Sequence, residues 1–200
     1  MRKAIFILLW LLLIGGTAAV GWVFWAINEG RIGYMPNMEQ MSNPVDKFAS
    51  QVMTCDGKLL GTYSYGETNR IYTDFDSIAP AMVQALIATE DERFYDHAGI
   101  DFKALFRAIV KRGLLRQKSA GGGSTITQQL AKNLFPRDTV RNRSKVTRTW
   151  KLVQSKFKEW ITALKLEHNY TKEEIAAMYL NTVEYGSNAF GIKSAASTFF

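Results

Sequence analysis

Apolar and polar positions divide the chain into an unbroken apolar run, a short alternating stretch and a long tract of helical spacing. From Ala4 to Ile27 no residue is charged. At about 1.5 Å per residue, a helix of that length crosses a hydrocarbon core about 30 Å thick. Arg2 and Lys3 precede it, which predicts a cytoplasmic N-terminus, and Trp22 and Trp25 suit the far interface. A cleaved signal peptide is the rival reading, with Thr17-Ala18-Ala19 as its small-residue site. The apolar run continues past those residues, which favours an uncleaved, single-pass anchor. The expected organisation is a tail at 1–3, a transmembrane anchor at 4–27, a linker at 28–49 holding Pro36 and Pro44, and a folded domain at 50–200.

Within that domain the pattern begins as a β-hairpin. Gln51-Val52-Met53-Thr54 and Lys58 to Tyr63 flank the turn dipeptide Asp56-Gly57. From about Ser77 the spacing becomes helical. A first helix is expected from Ser77 to Phe94, capped by Asp76 or Ser77, with Pro80 in its first turn. Val83, Leu86, Ile87 and Phe94 form its apolar stripe, and Glu90 falls on the same stripe. A carboxylate there is costly unless something answers it. Either it pairs with a nearby arginine, or it faces a cleft with its pKa raised toward that of a general base.

Lys111 to Gly123 is basic, glycine-rich and without periodicity, and reads as a loop. The next helix opens at Ser124 or Thr125, with Thr125 and Gln128 spaced as a capping box. Ile126, Leu130 and Leu134 make one face; Thr125, Gln128, Gln129, Lys132 and Asn133 make the other. That polar face is either solvated or, with the free N–H groups of the helix start, receptive to an anion. The loop is not a P-loop, because no lysine followed by Ser or Thr succeeds its glycines. A long helix is expected from Lys145 to His168, with Trp150, Val153, Phe157, Trp160, Ile161 and Leu164 as its buried stripe. Lys156 and Glu159 neighbour each other on its surface. Thr171-Lys172-Glu173-Glu174 is a capping box for a last helix carrying Ile175, Met178, Tyr179 and Leu180, ended by a turn at 181–186.

The chain has 200 residues, 47% of them hydrophobic, enough for one packed domain beside an anchor. The formal charge of +7 suits nucleic acid, an anionic membrane or a phosphate-bearing substrate, and an extracytoplasmic domain removes nucleic acid from that choice. One cysteine, Cys55, excludes an intrachain disulfide, and with only two histidines a structural zinc site is not expected.

Three segments together resemble glycosyltransferase family 51, the peptidoglycan polymerases, which occur as monofunctional enzymes and as the N-terminal domain of class A penicillin-binding proteins. Its first motif, Glu-Asp-x-x-Phe-x-x-His-x-Gly, is filled by Glu90, Asp91, Phe94, His97 and Gly99. Its second is matched from Gly122 to Asn133. Its third, Arg-Lys-x-x-Glu, reads Ser155-Lys156-Phe157-Lys158-Glu159 here, with serine in place of arginine. A fourth is present around Tyr179-Leu180-Asn181, Val183 and Gly186. The stretch between the second and third motifs is also longer than usual and adds Arg137, Arg141, Arg143, Lys145 and Arg148, any of which could take over the arginine's phosphate contact.

The resemblance implies a mainly α, lysozyme-like domain with a small N-terminal β-hairpin, behind one transmembrane helix. It implies polymerisation of lipid II into glycan strands with release of undecaprenyl diphosphate, on the outer side of the cytoplasmic membrane. Glu90 would be the catalytic base, and Glu159 the second essential carboxylate. Arg107, Lys132 and Lys156 would face the diphosphate, with Ser124, Thr125 and Gln128 as hydrogen-bonding partners. Gln129 and Asn133 belong to the same substrate-binding motif, and Asp91, Phe94 and His97 would shape the first one. A divalent cation, Mg or Mn, is a candidate at the substrate diphosphate, with no protein metal site otherwise. Expected partners are lipid II, lipid-linked glycan, membrane lipids and cell-wall synthesis proteins. A glycan-cleaving enzyme and an inactive membrane-anchored scaffold of the same fold are the alternatives. The final segment, Ser197-Thr198-Phe199-Phe200, is expected to be followed by more of the domain.

Overall fold

The computed structural model of the chain describes residues 2–31, 50–63, 70–111, 122–135 and 145–200. Most of the 28–49 linker, most of the glycine-rich loop and the residues Arg137, Arg141 and Arg143 lie outside them, as do the side chains of Lys145 and Arg148.

Helix α1, Arg2–Asn28, is the apolar run. Its stretch Lys3–Asn28, with a mean hydropathy of 2.3 over its most apolar 18 residues and none of those buried against the rest of the chain, is long and apolar enough to cross a membrane. Only its last turns pack: Ala26 and Ile27 are buried, and Phe24 meets Phe157 edge-on with ring centroids 5.1 Å apart. The hairpin follows, β1 (Ser50–Met53) antiparallel to β2 (Leu59–Tyr63), with a bulge between Val52 and Met53.

Helix α2 is Pro80–Glu90, shorter at both ends than the spacing suggested. Residues Phe75–Ser77 form a separate 3-10 turn. Pro80 forces Ala79 into an extended conformation (φ −56°, ψ 128°), which keeps the two from fusing. At the other end Asp91 leaves helical geometry (φ −157°, ψ 76°), and Phe94 lies in a second 3-10 turn, Phe94–Asp96. Helix α3 is Phe102–Ile109, capped by the Asp101 carboxylate, which accepts from the Ala104 N–H. It leaves Phe102, Phe106 and Ile109 exposed on one face.

Helices α4 (Ile126–Leu134), α5 (Lys145–Asn169) and α6 (Lys172–Thr182) form the body. Every residue from Ile175 to Thr182 is buried, so α6 is the central helix. Its capping box forms as expected: Thr171 accepts from the Glu174 N–H, and Glu174 accepts from the Thr171 N–H. Phe94, Ile126, Leu130, Leu166, Ile175 and Leu180 are the largest apolar side chains closed off from solvent in the core around it.

The stripe expected along α5 is only partly buried. Ile161 is buried and Phe157 and Trp160 are half-buried, but Trp150, Val153 and Leu164 are exposed. At about 1.5 Å per residue, α5 is far longer than the two short helices laid across it, so burial begins only at Glu159. After α6 the chain turns back through a bridge between Glu184 and Phe190 into α7, Ile192–Phe199. Asn181 ties α6 to the segment before α2: its side chain accepts from the Thr73 N–H (3.0 Å) and donates to Thr73 O and Ala177 O (both 2.8 Å).

Candidate active site

The first and second motifs meet at the start of α4. Asp91, just beyond α2, is buried. Its Oδ2 accepts from the Ile126 N–H at 3.1 Å and lies 3.0 Å from His97 Nε2. The Gly99 N–H donates to His97 Nδ1 at 3.2 Å, so Nε2 carries the ring proton and donates to Asp91. Both ring nitrogens are therefore occupied. His97 has no free ring nitrogen with which to activate the Ser124 hydroxyl as a nucleophile.

This arrangement changes the reading of the α4 N-terminus. The end that appeared open to an external anion already holds one, the Asp91 carboxylate. Thr125 caps the helix, accepting from the Gln128 N–H at 3.2 Å, and its own hydroxyl donates to Gly99 O at 2.7 Å. Gln128 does not complete the capping box: its Nε2 also donates to Gly99 O, at 3.2 Å, and its Oε1 has no partner among the described residues. Thr125 and Gln128 are 2% and 1% exposed, so they brace the loop that carries the first motif and are not on an open polar face. Of that expected face, Lys132 and Asn133 are exposed and Gln129 is half-buried. Gly99 sits at φ +86°, where a Cβ would meet Ala163 O at 3.0 Å, which explains glycine at the motif's end.

A second network, unforeseen from the sequence, holds the same loop from the opposite side. Lys172 Nζ donates to His97 O at 2.6 Å and to Glu167 at 2.8 Å, and stands 4.5 Å from the centroid of the Phe94 ring. Glu167 Oε1 in turn accepts from the Thr127 hydroxyl at 2.6 Å. Phe94 is fully buried beneath this pair. Thr171-Lys172-Glu173-Glu174 read only as a cap; spacing has no way to show that Lys172 reaches a carbonyl 75 residues earlier.

Glu90 is the last residue of α2 and is exposed, not part of the buried stripe that Val83 and Leu86 form. The reason is the helix end: beyond Glu90 the chain turns to bury Asp91 and Phe94, leaving Glu90 on the rim. Gln129 Nε2 donates to Glu90 Oε2 at 2.7 Å, and the Tyr179 hydroxyl donates to Gln129 Oε1 at 3.1 Å. Burial, and next the charge of Glu90, push the Tyr179 phenol above its ordinary pKa, so it remains a donor.

Just before α4, the Ser124 hydroxyl lies 3.1 Å from Lys156 Nζ on α5, which also contacts Glu159 at 2.6 Å. Glu159 is buried while the Lys156 side chain is 40% exposed, so the pair presents its cation outward. Ser155, where the family has arginine, is half-buried beside it. Glu90, Arg93, Asp101, Arg107, Ser124 and Thr125 are among the residues that line one pocket of about 50 Å³. Arg93 donates to both Asp101 oxygens, at 2.7 and 2.6 Å. Burial alone would raise the Asp101 pKa, but the Ala104 N–H and Arg93 outweigh it and hold the carboxyl below its ordinary value. Thus Glu90, Asp91, Arg107, Ser124 and Thr125 line one pocket; Lys156, paired with Glu159, is bonded to Ser124 of its wall and Gln129 to Glu90, while Phe94, His97 and Gln128 lie outside the lining.

The sequence profile of the family described as Transglycosylase matches residues 56–200. The chain is 37% identical over 83% of its length to penicillin-binding protein 1A of Escherichia coli (strain K12), and 39% identical over 72% of its length to penicillin-binding protein 2D of Bacillus subtilis (strain 168). It spans 18% and 19% of those relatives. It is 40% identical over 64% of its length to a biosynthetic peptidoglycan transglycosylase of Nitrosomonas eutropha, and spans 48% of that protein.

Proposed function

The chain belongs to the Transglycosylase family, and from that premise we propose that it is a peptidoglycan glycosyltransferase that polymerises lipid II. The observation that carries this reading is one pocket lined by an exposed carboxylate, Glu90, and the Arg107 guanidinium, with the Lys156 cation bonded to Ser124 of its wall. Transfer from a diphosphate-linked sugar needs both. The acceptor's 4-hydroxyl oxygen forms the new bond to the donor's anomeric carbon as that carbon's bond to the diphosphate oxygen breaks. The hydroxyl proton passes to Glu90, and the lipid diphosphate leaves with the bonding electrons. Lys156, held by Ser124 and Glu159, and Arg107 stabilise the charge that develops on the leaving group. Lys132, exposed at the last turn of α4, is a further cation for the same group.

A divalent cation fits these residues poorly. Glu159 is already paired with Lys156 at 2.6 Å, and no group of three His, Cys, Asp or Glu side chains suited to a metal occurs among the described residues. A cation here would be held by the substrate's own oxygens, and Lys156 and Arg107 supply the positive charge the reaction needs.

Helix α1 as an anchor, with Arg2 and Lys3 on the cytoplasmic side, would hold the domain on the outer face of the cytoplasmic membrane, where a lipid-linked donor resides. The test is incubation of the bilayer-reconstituted protein with lipid II. Glycan polymer and undecaprenyl diphosphate are the expected products. Release of soluble muropeptides from sacculi, without polymer, would replace this reading with a glycan-cleaving one.

A further inference from the structure

Glu90 is exposed at a helix end, where a glutamate side chain is otherwise free to turn. Among the described residues, Gln129 is the side chain that fixes it: Nε2 donates to Oε2 at 2.7 Å. That leaves Oε1 as the oxygen open to a substrate proton. An amide has two ends, and only one of them suits a carboxylate. Reversed, Gln129 would set its oxygen against Glu90 Oε2, acceptor against acceptor.

The other end of the amide is held by Tyr179, from the middle of the central helix α6. Tyr179 is 8% exposed, and its hydroxyl donates to Gln129 Oε1 at 3.1 Å. A donor at that place rewards the one amide orientation that donates to Glu90. Burial and the nearby Glu90 charge keep the phenol protonated, so it cannot exchange its role for that of an anionic acceptor. We propose that Tyr179 is a positioning residue for the base, acting on Glu90 through the side-chain amide of Gln129. This rests on Glu90 being the base. It gives a directional task to a tyrosine whose place on the apolar stripe of α6 otherwise explains only its ring.

The relay predicts an order of dependence. The Tyr179 hydroxyl bonds to Gln129, and Gln129 in turn to Glu90, so on this proposal the hydroxyl should matter only while Gln129 is there to transmit it. The experiment is a double-mutant cycle on the reconstituted full chain, polymerising lipid II, with Tyr179→Phe, Gln129→Met and both together. Tyr179→Phe keeps the buried ring and removes one hydrogen bond. It should lower kcat about threefold to tenfold and leave KM within about twofold. In the Gln129→Met background, adding Tyr179→Phe should change kcat by less than about 1.5-fold, because the relay is already cut. A hydroxyl that merely supports the core would instead lower kcat by the same factor in both backgrounds, and that result overturns the proposal. So does a Tyr179→Phe protein with wild-type kcat, or one altered in KM alone. Wild-type protein that makes no polymer would sink the functional reading itself; polymer from wild type with an inert Tyr179 hydroxyl would sink only the relay.

Discussion

Replacing Lys172 by methionine tests whether the first motif is held from behind. Lys172 donates to His97 O at 2.6 Å and Glu167 at 2.8 Å, and it lies over the Phe94 ring. Methionine keeps most of the stem but leaves Glu167, whose side chain is 7% exposed, with the Thr127 hydroxyl and no cation. Removing one partner of a buried ion pair costs about 3–5 kcal/mol. The Lys172 side chain retains 18% exposure, so water offsets part of that, and we expect a loss of about 2–3 kcal/mol. For a chain of this size the loss lowers Tm by about 4–12 °C. The assay is thermal unfolding of the detergent-solubilised protein followed by circular dichroism. The companion variant, Lys172→Met with Glu167→Gln, removes the stranded charge while its amide still accepts from Thr127. It should recover a substantial part of the lost Tm. A single variant melting within 2 °C of wild type, or a double variant less stable than the single, would refute the reasoning.

Other consequences are as direct. The Asp101 carboxyl is held below its ordinary 3.8 in the folded chain, so it contributes stability that is complete above the unfolded pKa and is lost as pH falls through the lower, folded one. Asp101→Asn should therefore be less stable than wild type at neutral pH, with the gap narrowing below about pH 4 in acid-unfolding curves; a gap independent of pH would contradict this. Gly191 sits at φ +81°, where a Cβ would stand 2.8 Å from Asn181 O. Gly191→Ala should cost about 1–3 kcal/mol in urea unfolding, and an unchanged midpoint would show that the contact is not rigid.

What was legible in the sequence was whatever depends on local spacing. The apolar run became α1, Asp56-Gly57 turned the hairpin, and Thr171 with Glu174 capped α6 as the pattern required. The errors came where distant parts of the chain decide the outcome. Glu90 shares the spacing of Val83 and Leu86, yet the helix ends on it because Asp91 is drawn to Ile126 N–H and His97. Gln128 shares the spacing of Lys132, yet Gly99 O claims it for the interior. Trp150 and Val153 continue the apolar stripe of α5 past the point where any short helix can cover them. Motif resemblance named Glu90, Ser124, Lys156 and Glu159 together with Thr125, Gln128 and His97 and could not separate them: Glu90, Ser124 and Thr125 line the pocket, Lys156 reaches it through the Ser124 hydroxyl, and Gln128 and His97 are bonded into the loop of the first motif. The brace from Lys172 and Glu167 left no local signal, since each residue also reads as an ordinary charge near a helix end.

The central claim is that Glu90 takes the proton from the acceptor sugar. Glu90→Gln is its most direct test, because the amide fills the same exposed volume at the end of α2 and removes only the basic oxygen. The measurement is the initial rate of lipid II polymerisation by the bilayer-reconstituted protein, beside wild type of matched Tm. A positioned base contributes about 100-fold or more, so the rate should fall by at least about that factor with polymer nearly absent. Polymer formed by Glu90→Gln at the wild-type rate would contradict the assignment.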